Sequence, residues 1–106
     1  MSHWLDVCPA NDLTEGMRTF IDIDDKHIMV VCVADAYYAV ESMCSHAMFE
    51  LDDAQIIDCT IVCPLHGAHF CLKTGEALSA PAMEPISSYP IRVNNDIIQI
   101  KNINQD

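Results

Sequence analysis

The sequence predicts an all-β chain in which antiparallel strands carry a short two-loop insertion. Three observations predict it. Helical periodicity is nearly absent, short apolar or alternating runs recur along the chain, and most of these runs are closed by Pro, Asn, Asp or Gly. With 106 residues, 51% of them hydrophobic, the chain has the size of one domain and enough apolar material for a core.

Taken in order, residues 4–8 read as a first short strand, stopped by Pro9-Ala10-Asn11-Asp12. Residues 17–23 alternate, with Met17, Thr19, Ile21 and Ile23 on one face and Arg18 and Asp22 on the other; Phe20 breaks the pattern, which predicts a partly covered second face. Asp24-Asp25-Lys26 is a turn. Residues 27–33 form a near-continuous apolar run, the pattern of a strand buried on both faces. Ala34-Asp35-Ala36 turns again and residues 37–40 return, completing a three-strand meander.

Residues 47–55 hold Met48, Leu51 and Ala54 at roughly helical spacing, but the segment is too short to be a stable helix alone and reads as a loop with one turn. A strand over 56–62 and another over 69–72 pair as a hairpin with residues 63–68 at its tip. Pro81 and Pro85 exclude regular structure from the interior of 76–88. Strands over 89–93 and 97–103, joined by Asn94-Asn95-Asp96, form a terminal hairpin whose turn residues tolerate positive φ.

Charge and cysteine usage exclude several functions. The formal net charge is −11, and Arg18, Lys26, Lys73, Arg92 and Lys101 are scattered singly, so there is no basic footprint for nucleic acid. The acidic surface fits either solubility or a docking face for basic partners, with Glu50, Asp52 and Asp53 the candidate steering charges. Residues 1–16 lack the apolar run of an export signal and no segment reaches membrane-spanning length, so a cytoplasmic chain that does not enter the membrane is expected. Six cysteines in that setting are thiols or ligands rather than a disulfide framework. Cys32, inside an apolar run, reads as a small buried hydrophobe, and Cys8, Cys59 and Cys71 take the same reading.

The chemistry concentrates in residues 44–66. Cys44-Ser45-His46 and Cys63-Pro64-Leu65-His66 each supply one thiolate and one imidazole, separated by sixteen residues. Four such ligands fit either a Cys₂His₂ zinc site or a [2Fe–2S] cluster with mixed ligation. Structural zinc modules mostly keep cysteines on one knuckle and histidines on the other. Here each loop mixes the two, as a cluster requires when both cysteines bind one iron and both histidines the other. His69 and Cys59 are rival ligands but lack the Cys-x-x-His spacing, while His3 and His27 carry no sign of function.

These motifs, with Gly67-Ala68-His69-Phe70, the run Lys73-Thr74-Gly75-Glu76-Ala77-Leu78, Pro81, and Tyr37-Tyr38-Ala39-Val40 before the first loop, resemble the small Rieske-type ferredoxins of bacterial aromatic-ring-hydroxylating dioxygenases. The likeness runs nearly end to end. It implies an antiparallel β-sandwich with a basal part from residues 1–42 and 73–106 and a cluster-binding subdomain at 43–72. It implies one [2Fe–2S] cluster held by Cys44, His46, Cys63 and His66, and a monomer that is an electron-transfer component rather than an enzyme. That component would carry one electron at a time from a flavoprotein ferredoxin reductase to a terminal oxygenase. The electron would enter and leave at His46 and His66, because reduction adds its negative charge to the histidine-bound iron. The resemblance also places Pro81 on a third loop over the cluster and gives Gly67 a role in bringing backbone amides near its sulfur.

Departures from the wider family carry expectations of their own. Relatives in cytochrome bc-type complexes brace the cluster with a disulfide, at positions that look like Phe49 and Leu65 here. They also donate hydroxyls to cluster and ligand sulfur from positions matching Ala68 and Phe70, which have none. Fewer donors stabilise the reduced cluster less, so a midpoint near the low end of the Rieske range, about −150 mV, is expected. Ala47, where many relatives carry glycine or arginine, has no evident consequence. A redox sensor and a small subunit of another reductase complex share the same ligand set. A terminal oxygenase does not fit, since its second iron domain has no room in a chain of this length.

Overall fold

The computed structural model describes residues 4–23, 25–43, 50–63, 67–78 and 85–101. Its strands are β1 (Trp4–Pro9), β2 (Arg18–Ile23), β3 (Lys26–Val33), β4 (Ala36–Glu41), β5 (Gln55–Ile57), β6 (Thr60–Val62), β7 (His69–Cys71), β8 (Ser88–Tyr89), β9 (Ile91–Asn94) and β10 (Ile97–Lys101). They form three antiparallel sheets in the orders β1-β10-β9, β2-β3-β4-β8 and β5-β6-β7. A single 3-10 turn, Ala10–Asp12, is the helical element among the described residues.

The meander β2-β3-β4 forms the centre, and β3 explains why. Residues 28–32 are at most 5% exposed, and their side chains alternate between two cores. Ile28, Val30 and Cys32 join Ala39, Tyr89, Ile98 and Ile100 beneath the β1-β10-β9 sheet. Met29 and Val31 join Val40, Leu51, Ile61, Cys63, Phe70 and Leu72 beneath the β5-β6-β7 sheet. The apolar run of β3 therefore serves two layers at once, and each fully buried aliphatic side chain contributes roughly 1.5–3 kcal/mol of transfer free energy.

Turn chemistry sets the hairpins. Ala34 and Asp35 (φ 54° and 64°) join β3 to β4, and Asn95 and Asp96 (φ 53° and 66°) join β9 to β10. Two successive positive φ values match the twist of the flanking strands. Alanine is not a favoured residue there, and Glu15 compensates: its carboxylate accepts the Ala34 and Asp35 N–H groups at 2.7 and 3.0 Å.

The structure corrects several sequence expectations. The strand expected over 56–62 is two strands, β5 and β6, folded back on each other at Asp58 (φ 56°) and Cys59. Apolar content could not reveal this turn, because Asp58 is its one polar breaker. The strand expected over 89–93 is divided at Pro90, which has no N–H for a ladder; β8 pairs with β4, and β9 pairs with β10 in another sheet. Met17, expected on the inward face of β2, precedes the strand and is 48% exposed. Cys32 is buried as expected, whereas Cys8, Cys59 and Cys71 are only half-buried; all are free thiols. Cover on the second face of β2 is limited to Arg18, which is half-buried and donates to the Asp52 and Ala54 carbonyls at 3.0 and 2.8 Å, whereas Phe20, on which the expected cover rested, is 37% exposed.

Candidate metal centre

Cys63 follows β6 at the inner end of the β6–β7 hairpin and is 1% exposed. Its N–H donates to the Ala68 carbonyl at 2.7 Å, and the Gly67 N–H donates back to the Cys63 carbonyl at 2.9 Å. These two bonds tie Cys63 to Gly67 and Ala68 on either side of residues 64–66. Gly67 has φ +72°, which the return requires and which L side chains rarely adopt. Open space lies where its Cβ would be, so nothing of the described chain blocks a group from approaching that backbone.

Cys44, His46 and His66 lie outside the described residues, as do Ala47, Phe49, Leu65 and Pro81. The stems that carry them are described. Met43 and Glu50 bridge antiparallel, and the Leu51 N–H donates to the Ser42 carbonyl at 3.1 Å, so the stems on either side of residues 44–49 are held together. After β7, residues 76–78 run back along it: Cys71 N–H donates to the Glu76 carbonyl and Leu78 N–H to the His69 carbonyl. Gly75 and Ile86 close residues 79–84 in turn, with Ile86 N–H on the Gly75 carbonyl at 2.9 Å. Val40, Leu51, Cys63, Ala68 and Ile86 share one buried cluster, with Ala77 packed against it. Described residues flanking 44–49, 64–66 and 79–84 thus belong to one core.

The rivals fare differently. Cys59 stands at the opposite end of β6 from Cys63, about 13 Å away by strand rise, and its thiol faces the Tyr38 hydroxyl at 3.7 Å. A cleft of about 480 Å³ lined by Glu15, Arg18, Val33, Ile56, Asp58 and Cys59 opens at that far end. His69 is exposed on β7, paired in register with Val62. The donor set of two thiolates and two imidazoles, with one thiol already buried beside an open glycine backbone, suits a soft, mixed-ligand iron–sulfur group. Ala68 and Phe70 are both fully buried among apolar neighbours.

Sequence reasoning passed over a polar network beside the first stem. His27 contacts Asp22 at 2.6 Å and Asp52 at 2.9 Å, and Asp52 also accepts from the Ser42 hydroxyl at 2.6 Å. These partners are separated by 5, 25 and 10 residues, so no local pattern announces them. Asp52 is therefore not a free steering charge, whereas Glu50 and Asp53 remain exposed.

A family model described as the Rieske [2Fe-2S] domain matches residues 3–90. The 3-phenylpropionate/cinnamic acid dioxygenase ferredoxin subunit of Shigella flexneri serotype 5b is 40% identical over 95 residues, 89% of each chain. The solved ferredoxin of carbazole 1,9a-dioxygenase from Nocardioides aromaticivorans IC177 superposes with a TM-score of 0.84 at 31% identity, covering 92% of this chain and 95% of that one. A chain in a structure described as a complex of reduced oxygenase and oxidized ferredoxin in carbazole 1,9a-dioxygenase gives the same TM-score at 28% identity, covering 92% and 91%.

Proposed function

Because the chain belongs to the Rieske [2Fe-2S] domain family, we propose that it is the ferredoxin of an aromatic-ring dioxygenase system, a one-electron carrier and not itself an enzyme. The observation that carries this is the end-to-end match to a dioxygenase ferredoxin subunit, covering 89% of both chains. A [2Fe–2S] cluster supplies a single reversible electron step. The family match also sets aside structural zinc.

Cys44, His46, Cys63 and His66 are the residues we assign to hold the cluster. The burial of Cys63 and the closed stems on either side of residues 44–49 and 64–66 support the assignment. The division into a basal part, 1–42 and 73–106, and a cluster-binding part, 43–72, belongs to the same proposal. It is supported by β5, β6 and β7 forming a sheet of their own. A flavoprotein reductase is the proposed donor, a terminal oxygenase the acceptor, and the cytoplasm the compartment. Among the described residues no helix is long and apolar enough to cross a membrane.

The test is a reconstituted chain of electron transfer. Purified protein is expected to contain iron and acid-labile sulfide in equal amounts, to be reduced by NADH through a flavoprotein reductase, and to be reoxidised by a dioxygenase's terminal component. A cluster that is reduced but never reoxidised by such oxygenases would point instead to a sensor or to another reductase complex. Cys44→Ser and His66→Ala are expected to lose the visible cluster absorbance; full retention in either would overturn that residue's assignment.

A further inference from the structure

Ser42 is fully buried, the one buried polar residue among described residues whose burial is otherwise apolar, and it sits two residues before Cys44. Its hydroxyl donates to Asp52 Oδ1 at 2.6 Å, joining the two stems that flank residues 44–49. Asp52 Oδ2 lies 2.9 Å from His27 Nε2, and His27 Nδ1 lies 2.6 Å from Asp22 Oδ1. A neutral imidazole has one N–H and would set a bare ring nitrogen against one of these carboxylates. Only the doubly protonated ring donates to both.

The backbone runs through the same place. Ser42 N–H donates to the His27 carbonyl at 2.7 Å and Leu51 N–H to the Ser42 carbonyl at 3.1 Å. Arg18 grips the Asp52 and Ala54 carbonyls from β2. His27 is thus faced by Asp22 of β2, by Asp52, and by Glu50, whose carboxylate comes within 4.8 Å of both ligand-type atoms. Phe20 stacks flat on its ring, centroids 5.2 Å apart. Lys26, the next residue on β3, is engaged with Glu41 at 3.5 Å.

We propose that Asp52 is the positioning residue of the first ligand loop: it ties the entering stem at Ser42 to the leaving stem and to β3 through His27, and the tie is tightest when His27 carries both ring protons. The inference rests on the reading that Cys44 and His46 are cluster ligands. Hydrogen bonds to Asp22 and then Asp52 hold the His27 imidazolium above the ordinary histidine range, outweighing its partial burial. A raised pKa stabilises the folded stem fully below the unfolded value, and that contribution is lost as pH rises through the folded one. The stem therefore loosens with rising pH, and alkaline conditions release the cluster more readily.

The experiment uses the cluster-loaded protein. Two quantities are followed against pH: amide hydrogen exchange at Ser42 and Leu51, corrected for intrinsic exchange, and the rate of iron transfer to added EDTA. Both are expected to rise by about tenfold as His27 titrates, while core amides such as Val30 and Ile98 do not move. Asp52→Asn keeps the size and an acceptor for Ser42, and His27→Gln removes the titrating ring. Each is expected to flatten both profiles and shift the visible circular dichroism of the cluster. Unchanged profiles in these variants would overturn the inference, and because both are conservative the test does not depend on a variant that fails to fold. Iron retention in Cys44→Ser separates the two failures: a variant that keeps its iron removes the ligand reading, while pH-independent exchange at Ser42 and Leu51 removes the clamp alone.

Discussion

Gly75 shows how a single residue can require one close backbone approach. It has φ +81°, and a Cβ there would overlap the backbone carbonyl oxygen of Ile86, which cannot move aside like a side-chain tip. In the sequence Gly75 appears only within the run Lys73-Thr74-Gly75-Glu76-Ala77-Leu78; the close approach to Ile86, eleven residues on, depends on the folded chain. Gly75→Ala is expected to destabilise the protein by about 3 kcal/mol or more, from left-handed strain plus overlap, read as a lower midpoint in denaturant. Ala68 and Phe70 bear on the reduction potential rather than on stability. Neither side chain has a hydroxyl to donate, and both are fully buried in the cluster that includes Cys63. A redox titration is expected to give a midpoint of about −150 mV, and a clearly positive value would show that other donors compensate.

At the scale of the element, the β3–β4 hairpin is the informative case. Its turn places Ala34 and Asp35 in the left-handed region, where a Cβ is unfavourable, yet Glu15 from outside the hairpin caps both N–H groups. Ala34→Gly relieves the strain and is expected to stabilise the protein by about 0.5–1 kcal/mol, net of the extra freedom glycine gives the unfolded chain. The two N–H bonds hold the Glu15 carboxyl below the usual carboxylate range. A lowered folded pKa contributes stability that is present above the unfolded value and lost as pH falls through the folded one. Glu15→Gln is therefore expected to remove part of the stability at neutral pH and none once the carboxyl is protonated, so the wild-type and variant unfolding curves converge in acid.

Among the described residues the molecule is a central sheet covered on both faces, with the stems of the motif-bearing segments anchored in the core beneath β5-β6-β7. Its net charge of −11 creates a long-range field that no single pair determines. If the field steers docking, the second-order rate of electron transfer to an oxygenase falls as salt rises from low to physiological ionic strength, because the Debye length shrinks to about 8 Å. A rate independent of salt would reduce the acidic surface to a solubility device. Among the acids named from sequence, Glu50 and Asp53 are exposed and available for this, while Asp52 is engaged by Ser42 and His27.

Local patterns were enough for much of this. The meander, the terminal hairpin turn and the doubly buried β3 follow from alternation, apolar runs and turn residues, all of which act over a few positions. The ligand motifs are equally local, since Cys-x-His and Cys-x-x-His are short spacings on single loops. The turn at Asp58 and the change of sheet at Pro90 were less legible, because the flanking apolar residues look the same whether a strand continues or folds back. What the tertiary structure alone decided is long-range: Glu15 on the Ala34 turn, Arg18 on the Asp52 and Ala54 carbonyls, Gly75 against Ile86, and the chain of polar contacts from Asp22 to Ser42. Each joins residues that no periodicity relates, and each exists because packing brings their strands together. Sequence named the residues proposed to hold the cluster; folding decided what ties together the described stems on either side of them.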